Sequence, residues 1–359
     1  MLAAFSSRQR IGFAVVAATT AVGGALHYAR VDGTVVFPIV TVALAGLAWL
    51  VALGTDALGE HFGPGLTGVL QSTLGNLPER FVVIFALSAG EVVVAQTSII
   101  GSLFANALLV LGLVIVAGAS ASKDRVMRFS RRLPNDTATL LLLAVFIIVL
   151  LGLAVSAGDR ASRHVTAISA AGAVVLLIVY GTWLWSYLRA DRRDEAAPEQ
   201  AVGRRGPGLS LGAALTLLAV AGVAAAFVSD WFVAALNPAM AALHLSKAFA
   251  GLVVVAIAGN AVENVAGIAL ARKGKMDDAV SVVKNSVAQI AVFLFPLLVL
   301  VSLLFAHHLT FVLEPVYIGA LLLTAIAVWQ VSGDGEATIP EGAALIGTYL
   351  ILALLTFFE

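Results

Sequence analysis

Long apolar segments constrain this chain more than any other feature of its sequence. Polar residues divide it into apolar blocks of about 20 residues, which is the length of helix that crosses a ~30 Å hydrocarbon core. Hydrophobic residues make up 60% of the chain and charged residues only 12%, whereas a soluble domain carries roughly 25% charged residues. We therefore predict an all-α membrane protein.

The hydropathy pattern predicts about eleven transmembrane helices. They cover roughly residues 11–29, 34–54, 64–89, 92–118, 136–157, 165–188, 209–229, 248–271, 278–305, 311–331 and 341–358. The first block follows Arg8 and Arg10, as the apolar core of a signal peptide would, but it is longer than such a core. We interpret it as a retained helix rather than a cleaved signal.

Lysine and arginine predict the orientation of these helices. If the N-terminus is cytoplasmic, the inner segments hold 15 of the 21 cationic residues and the outer segments hold 4, while Arg80 and Lys284 fall within spans. Positive charge collects on the cytoplasmic side, so we predict a cytoplasmic N-terminus and an external C-terminus. The richness in Ala, Val, Gly and Leu, without a targeting extension, suggests a bacterial plasma (inner) membrane.

An internal repeat is visible at an offset of 184 residues, where a Gly-Asn-x-x-Glu motif occurs twice. The matched residues are Gly75, Asn76, Glu79, Ile84, Gly90 and Ser102, which correspond to Gly259, Asn260, Glu263, Ile268, Gly274 and Ser286. The motifs fall in the third and eighth spans, and an offset of five spans, an odd number, gives the two copies opposite orientations. This arrangement predicts a five-plus-five inverted repeat with a binding site at the membrane midplane.

The repeat divides the chain into four parts. Residues 11–29 form an extra N-terminal helix, 34–188 the first repeat, 189–208 a charged cytoplasmic linker and 209–358 the second repeat.

Glu79 and Glu263 lie several residues inside apolar spans, where a charged side chain costs about 2.5–3.5 kcal/mol on insertion scales. Asn76 and Asn260 each precede a glutamate by three residues and share its helix face. Carboxylate, amide and backbone carbonyl oxygens are hard ligands that suit Ca²⁺. The same carboxylates can take up protons when the ion leaves, which is the minimum requirement for exchange.

Further polar residues occur in the spans that follow each motif, and they form a second candidate group. They are Gln96, Ser102 and Asn106 in the fourth span, and Ser286 and Gln289 in the ninth. The alternative interpretation is that these residues form hydrogen bonds between helices.

These residues resemble the calcium/cation:proton antiporter (CAX) family of the Ca²⁺:cation antiporter superfamily. The similarity is carried by GNLPERFVVIFALSAGEVVVAQTSIIGSLFANALLVLG from Gly75, and by the segment around GNAVENVAGIALARKGK from Gly259. The resemblance implies an antiporter that exchanges Ca²⁺ or a similar cation for H⁺ by alternating access, with Glu79 and Glu263 as carriers. It also implies that Asn76 and Asn260 line the site, with Gln96, Ser102, Asn106, Ser286 and Gln289 nearby.

Arg80 and Lys284 depart from the family pattern and keep an alternative open. A fixed cation near two carboxylates weakens divalent binding, which would favour a monovalent (Na⁺ or K⁺) cation:proton antiporter. Lys284 has a second interpretation, in which its side chain points away from Ser286 and extends to the cytoplasmic end near Asp277. An uncoupled channel is a third functional alternative.

Several classes of function are excluded by composition. A net charge of zero gives no electrostatic case for nucleic acid, and the absence of cysteine removes disulfides and thiol chemistry. No nucleophile and base pair is evident, so we predict a protein that is not an enzyme and needs no cofactor. Its partners are an inorganic cation, the proton and the lipid bilayer, and a homo-oligomer is compatible with such a chain.

Overall fold

The computed structural model describes residues 5–61, 74–130, 132–194 and 208–359, without the side chains of Arg8 and of residues 132–136, 187–194 and 261–264. In chain order, the helices are α1 (Ser7–Tyr28), α2 (Gly33–Gly59), α3 (Leu77–Ser88), α4 (Val92–Phe104), α5 (Leu111–Ala121), α6 (Arg132–Ser156), α7 (Val165–Asp194), α8 (Leu211–Leu243), α9 (Lys247–Phe249), α10 (Ala256–Gly259), α11 (Ala261–Arg272), α12 (Met276–Gln289), α13 (Phe295–Ser302), α14 (Pro315–Ser332) and α15 (Ile339–Phe357). The predicted all-α membrane fold is confirmed.

Shorter elements connect these helices. Three π-helical segments join α4 to α5, α9 to α10 and α12 to α13, and they cover Ala105–Val110, Ala250–Val255 and Ile290–Leu294. A 3₁₀ helix (Arg160–His164) precedes α7. Two short strands, β1 (Val126–Arg128) and β2 (Glu336–Thr338), pair antiparallel with Val126 opposite Thr338.

Side-chain caps fix several helix starts. Ser6 and Gln9 form a capping box at the start of α1, and Thr338 and Glu341 form another at the start of α15. At α8, the Ser210 side chain accepts a hydrogen bond from the backbone N–H of Ala213. Each cap satisfies backbone donors that have no intrahelical partner.

Within the described residues, nine helical stretches are long and apolar enough to cross a membrane. They correspond to nine of the eleven predicted spans. The two others, 64–89 and 248–271, carry the Gly-Asn-x-x-Glu motifs. The span predicted over 248–271 contains a break, because the backbone of Asn260 leaves the helical conformation (φ −103°, ψ 16°). In 64–89, Gly75 and Asn76 form a turn before α3, and residues 62–73 lie outside the described ranges.

The predicted linker also differs in extent. Residues 189–194 continue α7, so the helix reaches further into the charged segment than hydropathy suggests, and residues 195–207 lie outside the described part of the chain. Helix α8 extends to Leu243 and contains Pro238, well beyond the predicted end at 229, because hydropathy marks the apolar core of a helix rather than its full length.

The chain forms two compact units. The first unit contains residues 1–85 and 181–245, and in its described part α2 packs along α1 and α8. Phe37 of α2 and Phe232 of α8 have ring centroids 5.0 Å apart. The aromatic ring of Trp231 stacks on His27 of α1 at 5.9 Å. The predicted extra helix, α1, is thus part of this packing.

The second unit contains residues 86–180 and 246–359. At one end the two strands pair, and Arg128 bridges Asp124 at 2.5 Å and Glu336 at 3.1 Å. The hydrogen bond from Arg128 lowers the pKa of the exposed Asp124 carboxyl. At the same end, the backbone N–H of Ser130 donates to Asp277.

Contacts at the opposite end of the second unit join a different set of loops. Lys247 pairs with Glu91 at 2.7 Å, and the Gln96 side chain donates to the carbonyls of Thr310 and Val312. The loops of this unit thus lie at its two ends, as expected for spans that alternate in direction. Which end faces the cytoplasm stays a prediction.

Neither unit coincides with a predicted repeat, because each draws segments from both halves of the chain. Local irregularities nevertheless recur at the repeat offset. The helix breaks at Asn76 and Asn260 lie 184 residues apart. The π-helical segment 105–110, shifted by 184, becomes 289–294, and a π-helical segment covers Ile290–Leu294. The repeat layout stays a prediction that these coincidences support.

Candidate functional site

The two motif glutamates occupy the same local position. Glu79 is the third residue of α3 and Glu263 is the third residue of α11, and each of these helices begins directly after a break at an asparagine. The first turn of a helix has backbone N–H groups without intrahelical partners and the positive end of the helix dipole, which stabilise a carboxylate. The broken helices therefore provide a local reason for placing acidic residues within apolar spans.

In the first unit, the Asn76 and Glu79 residues are buried, with 5% and 2% of their surface exposed. Pro78 is the second residue of α3, where its missing N–H would have had no intrahelical partner. Its carbonyl accepts a hydrogen bond from the Ser229 hydroxyl of α8 at 3.4 Å. The backbone N–H of Arg80 donates to the Asn76 carbonyl at 3.1 Å, which closes the first turn of α3 around Glu79.

The second glutamate is placed by its backbone alone. Glu263 and Asn264 lie on α11, and their side chains are outside the described part of the chain. The predicted role of Glu263 therefore rests on its motif and on its helical position.

Four of the predicted site residues form a buried hydrogen-bonded group in the second unit, which we call the polar cluster: Ser102, Asn106, Asn260 and Ser286. The Asn106 side-chain nitrogen donates to the Asn260 side-chain oxygen at 3.0 Å and to the Ser286 hydroxyl at 3.1 Å. The Asn260 nitrogen donates to the Ser102 hydroxyl at 2.8 Å and to the Ala256 carbonyl at 2.8 Å. The structure thus brings together Ser102 of α4, Ser286 of α12, Asn106 of the first π-helical segment and Asn260 at the helix break before α11.

The polar cluster also has an unused acceptor. Asn106 is fully buried, and its side-chain oxygen has no hydrogen-bond partner among the described residues. Leaving a buried acceptor unpaired costs about 1–3 kcal/mol. An amide oxygen of this kind is a ligand that a hard cation or a water molecule can use.

Close backbone packing positions the polar cluster. A Cβ atom added at Gly101 would lie 2.4 Å from the Leu252 Cα, and one at Gly251 would lie 2.0 Å from the Thr97 hydroxyl oxygen. Only residues without a side chain permit this approach of α4 to the π-helical segment Ala250–Val255. That approach sets the backbone leading to Asn260 directly beside Ser102.

The remaining predicted residues are placed differently. Gln96 donates to the Thr310 carbonyl at 3.1 Å and to the Val312 carbonyl at 2.6 Å, so its amide nitrogen holds a loop at the end of the unit rather than joining the polar cluster. Gln289 is the last residue of α12 and is half-buried, one turn beyond Ser286. The involvement of both glutamines in ion binding stays a prediction.

The expectation that Lys284 extends to the helix end near Asp277 is wrong. Lys284 is buried, with 3% of its surface exposed, and its ammonium donates to the Ser332 hydroxyl at the end of α14. The acceptor lies on α14, an element remote in sequence, so the spacing along α12 does not reveal it. Sequence reasoning also missed the π-helical segments, because their residues have the same apolar pattern as an ordinary helix.

A bundle of membrane-length helices, with helix breaks that bring carboxyl and amide groups into buried positions, is the architecture of a secondary transporter. The chain belongs to the family described as sodium/calcium exchanger protein, whose model matches residues 33–188 and 213–358. This family is a transporter family, so the chain is not an enzyme, and the resemblance seen in the motifs is confirmed.

Individual relatives cover almost the whole chain. It is 30% identical over 348 residues to the Ca²⁺/H⁺ antiporter of Aphanothece halophytica, covering 93% of this chain and 92% of that protein. Its fold is similar to the solved structure of native YfkE, with a TM-score of 0.80, 26% identity and coverage of 97% and 100%. The structure of the H⁺/Ca²⁺ exchanger CAX has the same fold, with a TM-score of 0.76, 14% identity and coverage of 98% and 93%.

Proposed function

We propose that this chain is a secondary antiporter that exchanges Ca²⁺ for protons across a membrane. The observation that carries the proposal is the pair of Gly-Asn-x-x-Glu motifs, each at the start of a helix that follows a break. The relatives named as Ca²⁺/H⁺ antiporters support the choice of Ca²⁺ and H⁺.

In this proposal, Glu79 and Glu263 carry either the ion or protons. A carboxylate that has lost its cation within an apolar bundle is costly, so it takes up a proton before the protein returns to its other state. Competition between ion and proton for the same two groups couples the fluxes. Alternating access to the two sides then converts an inward proton gradient into outward Ca²⁺ transport.

The polar cluster supplies neutral oxygens in this scheme. Asn106 contributes its amide oxygen, which has no hydrogen-bond partner among the described side chains. Asn260 and Ser286 accept hydrogen bonds from the Asn106 nitrogen, and Ser102 in turn accepts one from Asn260. Asn76 acts beside Glu79 as the repeat partner of Asn260. Because these ligands are neutral, the number of protons exchanged per cation depends on the two glutamates alone.

The test is pH-gradient-driven ⁴⁵Ca²⁺ uptake into proteoliposomes that contain the purified chain. We expect uptake by the wild type and its loss in both Glu79→Gln and Glu263→Gln, which keep the size of the side chain but can neither ionise nor carry a proton. Glu60→Gln and Glu336→Gln are matched controls, because both glutamates are exposed. Wild-type uptake by either motif variant would refute the assignment of that glutamate.

A monovalent cation:proton antiporter is the second candidate, and the buried ammonium of Lys284 favours it. A fixed positive charge within the second unit disfavours a divalent ion more than a monovalent one. Competition of Na⁺, K⁺ and Mn²⁺ with ⁴⁵Ca²⁺ in the same vesicles separates the two proposals. Proton-coupled Na⁺ or K⁺ flux without Ca²⁺ uptake would establish the second candidate.

We further propose that the protein resides in a bacterial plasma membrane with a cytoplasmic N-terminus. The excess of 15 inner over 4 outer cationic residues supports this orientation.

A further inference from the structure

Lys284 marks a difference between the two halves of the chain. Shifted by the repeat offset of 184, it corresponds to Ile100, which is fully buried in α4. Lys284 is almost as deeply buried, with 3% of its surface exposed. One half of the chain therefore places an apolar side chain where the other places an ammonium group, and the fold has to provide acceptors for it.

A hydroxyl at the end of α14 accepts a hydrogen bond from Lys284. The Lys284 ammonium donates to the Ser332 hydroxyl, and that hydroxyl in turn donates to the carbonyl of Val328. Ser332 is the last residue of α14. The final carbonyls of a helix have no intrahelical partners and carry the negative end of the helix dipole, which favours a cation.

The surroundings of Lys284 form a small internal cavity. It is lined by Thr137 and Leu141 of α6, by Ala107 of the first π-helical segment, by Leu111 of α5 and by Val328 of α14. The aliphatic stem of Lys284 fills apolar space, while its charged end reaches the polar end of α14. The side chain thereby fastens α12, which carries Ser286, to α14.

We infer that the C-terminal end of α14 is a buried binding site for a monovalent cation, and that the ammonium of Lys284 fills it. The site takes a small cation that donates hydrogen bonds. In this chain, the side chain of Lys284 serves as that cation. Truncation of the Lys284 side chain leaves the Ser332 hydroxyl in place at the negative end of the α14 dipole, and an external ammonium ion can then bind there.

The test is thermal unfolding of the purified full chain in detergent, with ammonium chloride or tetramethylammonium chloride at equal concentration. We expect Lys284→Ala to lower the Tm by several degrees and ammonium to restore more than half of the loss. Tetramethylammonium cannot donate hydrogen bonds and restores none. The matched control is Ile100→Ala, which opens a cavity at the equivalent position without removing a charge and gives a Tm that responds equally to both salts.

A second pair of variants keeps the inference testable if Lys284→Ala does not fold. Lys284→Met retains the stem and removes the charge, so we expect a lower Tm than that of the wild type. Ser332→Ala added to Lys284→Met should cost less than Ser332→Ala alone, because the contact is already absent. A Lys284→Met protein as stable as the wild type, or equal restoration of Lys284→Ala by both salts, would overturn the inference. These measurements need no transport, so they stand apart from the test of Ca²⁺ exchange.

Discussion

Asn106 and Asn260 are joined by a hydrogen bond of 3.0 Å between their side-chain amides, although 154 positions separate them in the chain. Each asparagine also bonds a serine from the other half of the sequence. Asn106 donates to Ser286, and Asn260 donates to Ser102. Because Ser102 and Ser286 are repeat partners, the polar cluster has the exchanged pairing that an inverted repeat would produce.

The amide pair should contribute measurably to stability. Hydrogen bonds between membrane helices contribute on average about 0.6 kcal/mol and at most about 1.7 kcal/mol in double-mutant cycles. We expect Asn106→Ala and Asn260→Ala to show a coupling within that range, measured as free energies of unfolding. Because both residues are fully buried, each single variant should also be destabilised by about 1–3 kcal/mol through the unpaired group that is left behind.

Ser98 provides the control for this cycle. Its hydroxyl donates to the Ala95 carbonyl of its own helix and is buried like the members of the polar cluster. Ser98→Ala combined with Asn260→Ala should give additive effects. A coupling as large as that of the asparagine pair would show that the cycle reports general loosening of the bundle.

Gln96 should stabilise the loop that follows α13. Its amide nitrogen donates to two backbone carbonyls of that loop, so Gln96→Leu leaves both acceptors unpaired. We expect faster hydrogen exchange at residues 309–313, by a factor that corresponds to about 1–3 kcal/mol of lost protection. Gln330→Leu is the control, because Gln330 is exposed on α14.

The same Gln96 variant tests the prediction that this residue takes part in ion binding. A role confined to the loop predicts an unchanged half-saturating Ca²⁺ concentration in the transport assay. A several-fold increase without faster exchange in the loop would instead place Gln96 among the ion ligands.

The sequence was sufficient to predict the membrane class and most of the spans, and the four members of the polar cluster are among the nine candidate site residues that it indicated. Runs of apolar residues and rare buried amides leave a clear signal, because polar groups within a membrane are costly unless they are paired or functional. The helix breaks leave a weaker signal in the sequence. Gly75 and Gly259 indicate where a helix can end, but the hydropathy stays high across both positions and marks a single span at each.

The contacts of Lys284 and Gln96 could not be predicted in the same way. Both partners lie on elements remote in sequence, at Ser332 and in the loop around Thr310. Local spacing fixes the helix face of a residue and says nothing about which neighbouring helix ends beside it. The π-helical segments depend likewise on tertiary packing rather than on local composition.

The predicted orientation can be tested by site-specific labelling, because the chain contains no cysteine. Ala121→Cys and Ala306→Cys place single thiols at exposed positions on opposite ends of the second unit. In intact cells, an impermeant maleimide should label the thiol at position 306 and not the thiol at 121. In inverted vesicles the pattern should reverse. Labelling of the thiol at 121 in intact cells would show that the cytoplasmic side has been assigned wrongly.

The close contact beneath the polar cluster predicts opposite effects for the same substitution at different glycines. In Gly101→Ala, the new Cβ would meet the Leu252 backbone at 2.4 Å, and backbone cannot move aside as the end of a flexible side chain can. We expect a loss of about 1–3 kcal/mol or more in the free energy of unfolding. Exchange activity should fall by more than the loss of folded protein accounts for, because the displaced segment leads directly to Asn260.

Gly319 of α14 and Gly347 of α15 are the matched controls, since a Cβ at either position meets nothing within 4 Å. Alanine in a helix interior is more favourable than glycine by about 0.5–1 kcal/mol, so Gly319→Ala and Gly347→Ala should raise the Tm slightly and leave transport unchanged. A tolerated Gly101→Ala would mean that α4 and the Ala250–Val255 segment do not pack backbone to backbone. In that case the positions of Ser102 and Asn260 would need another explanation.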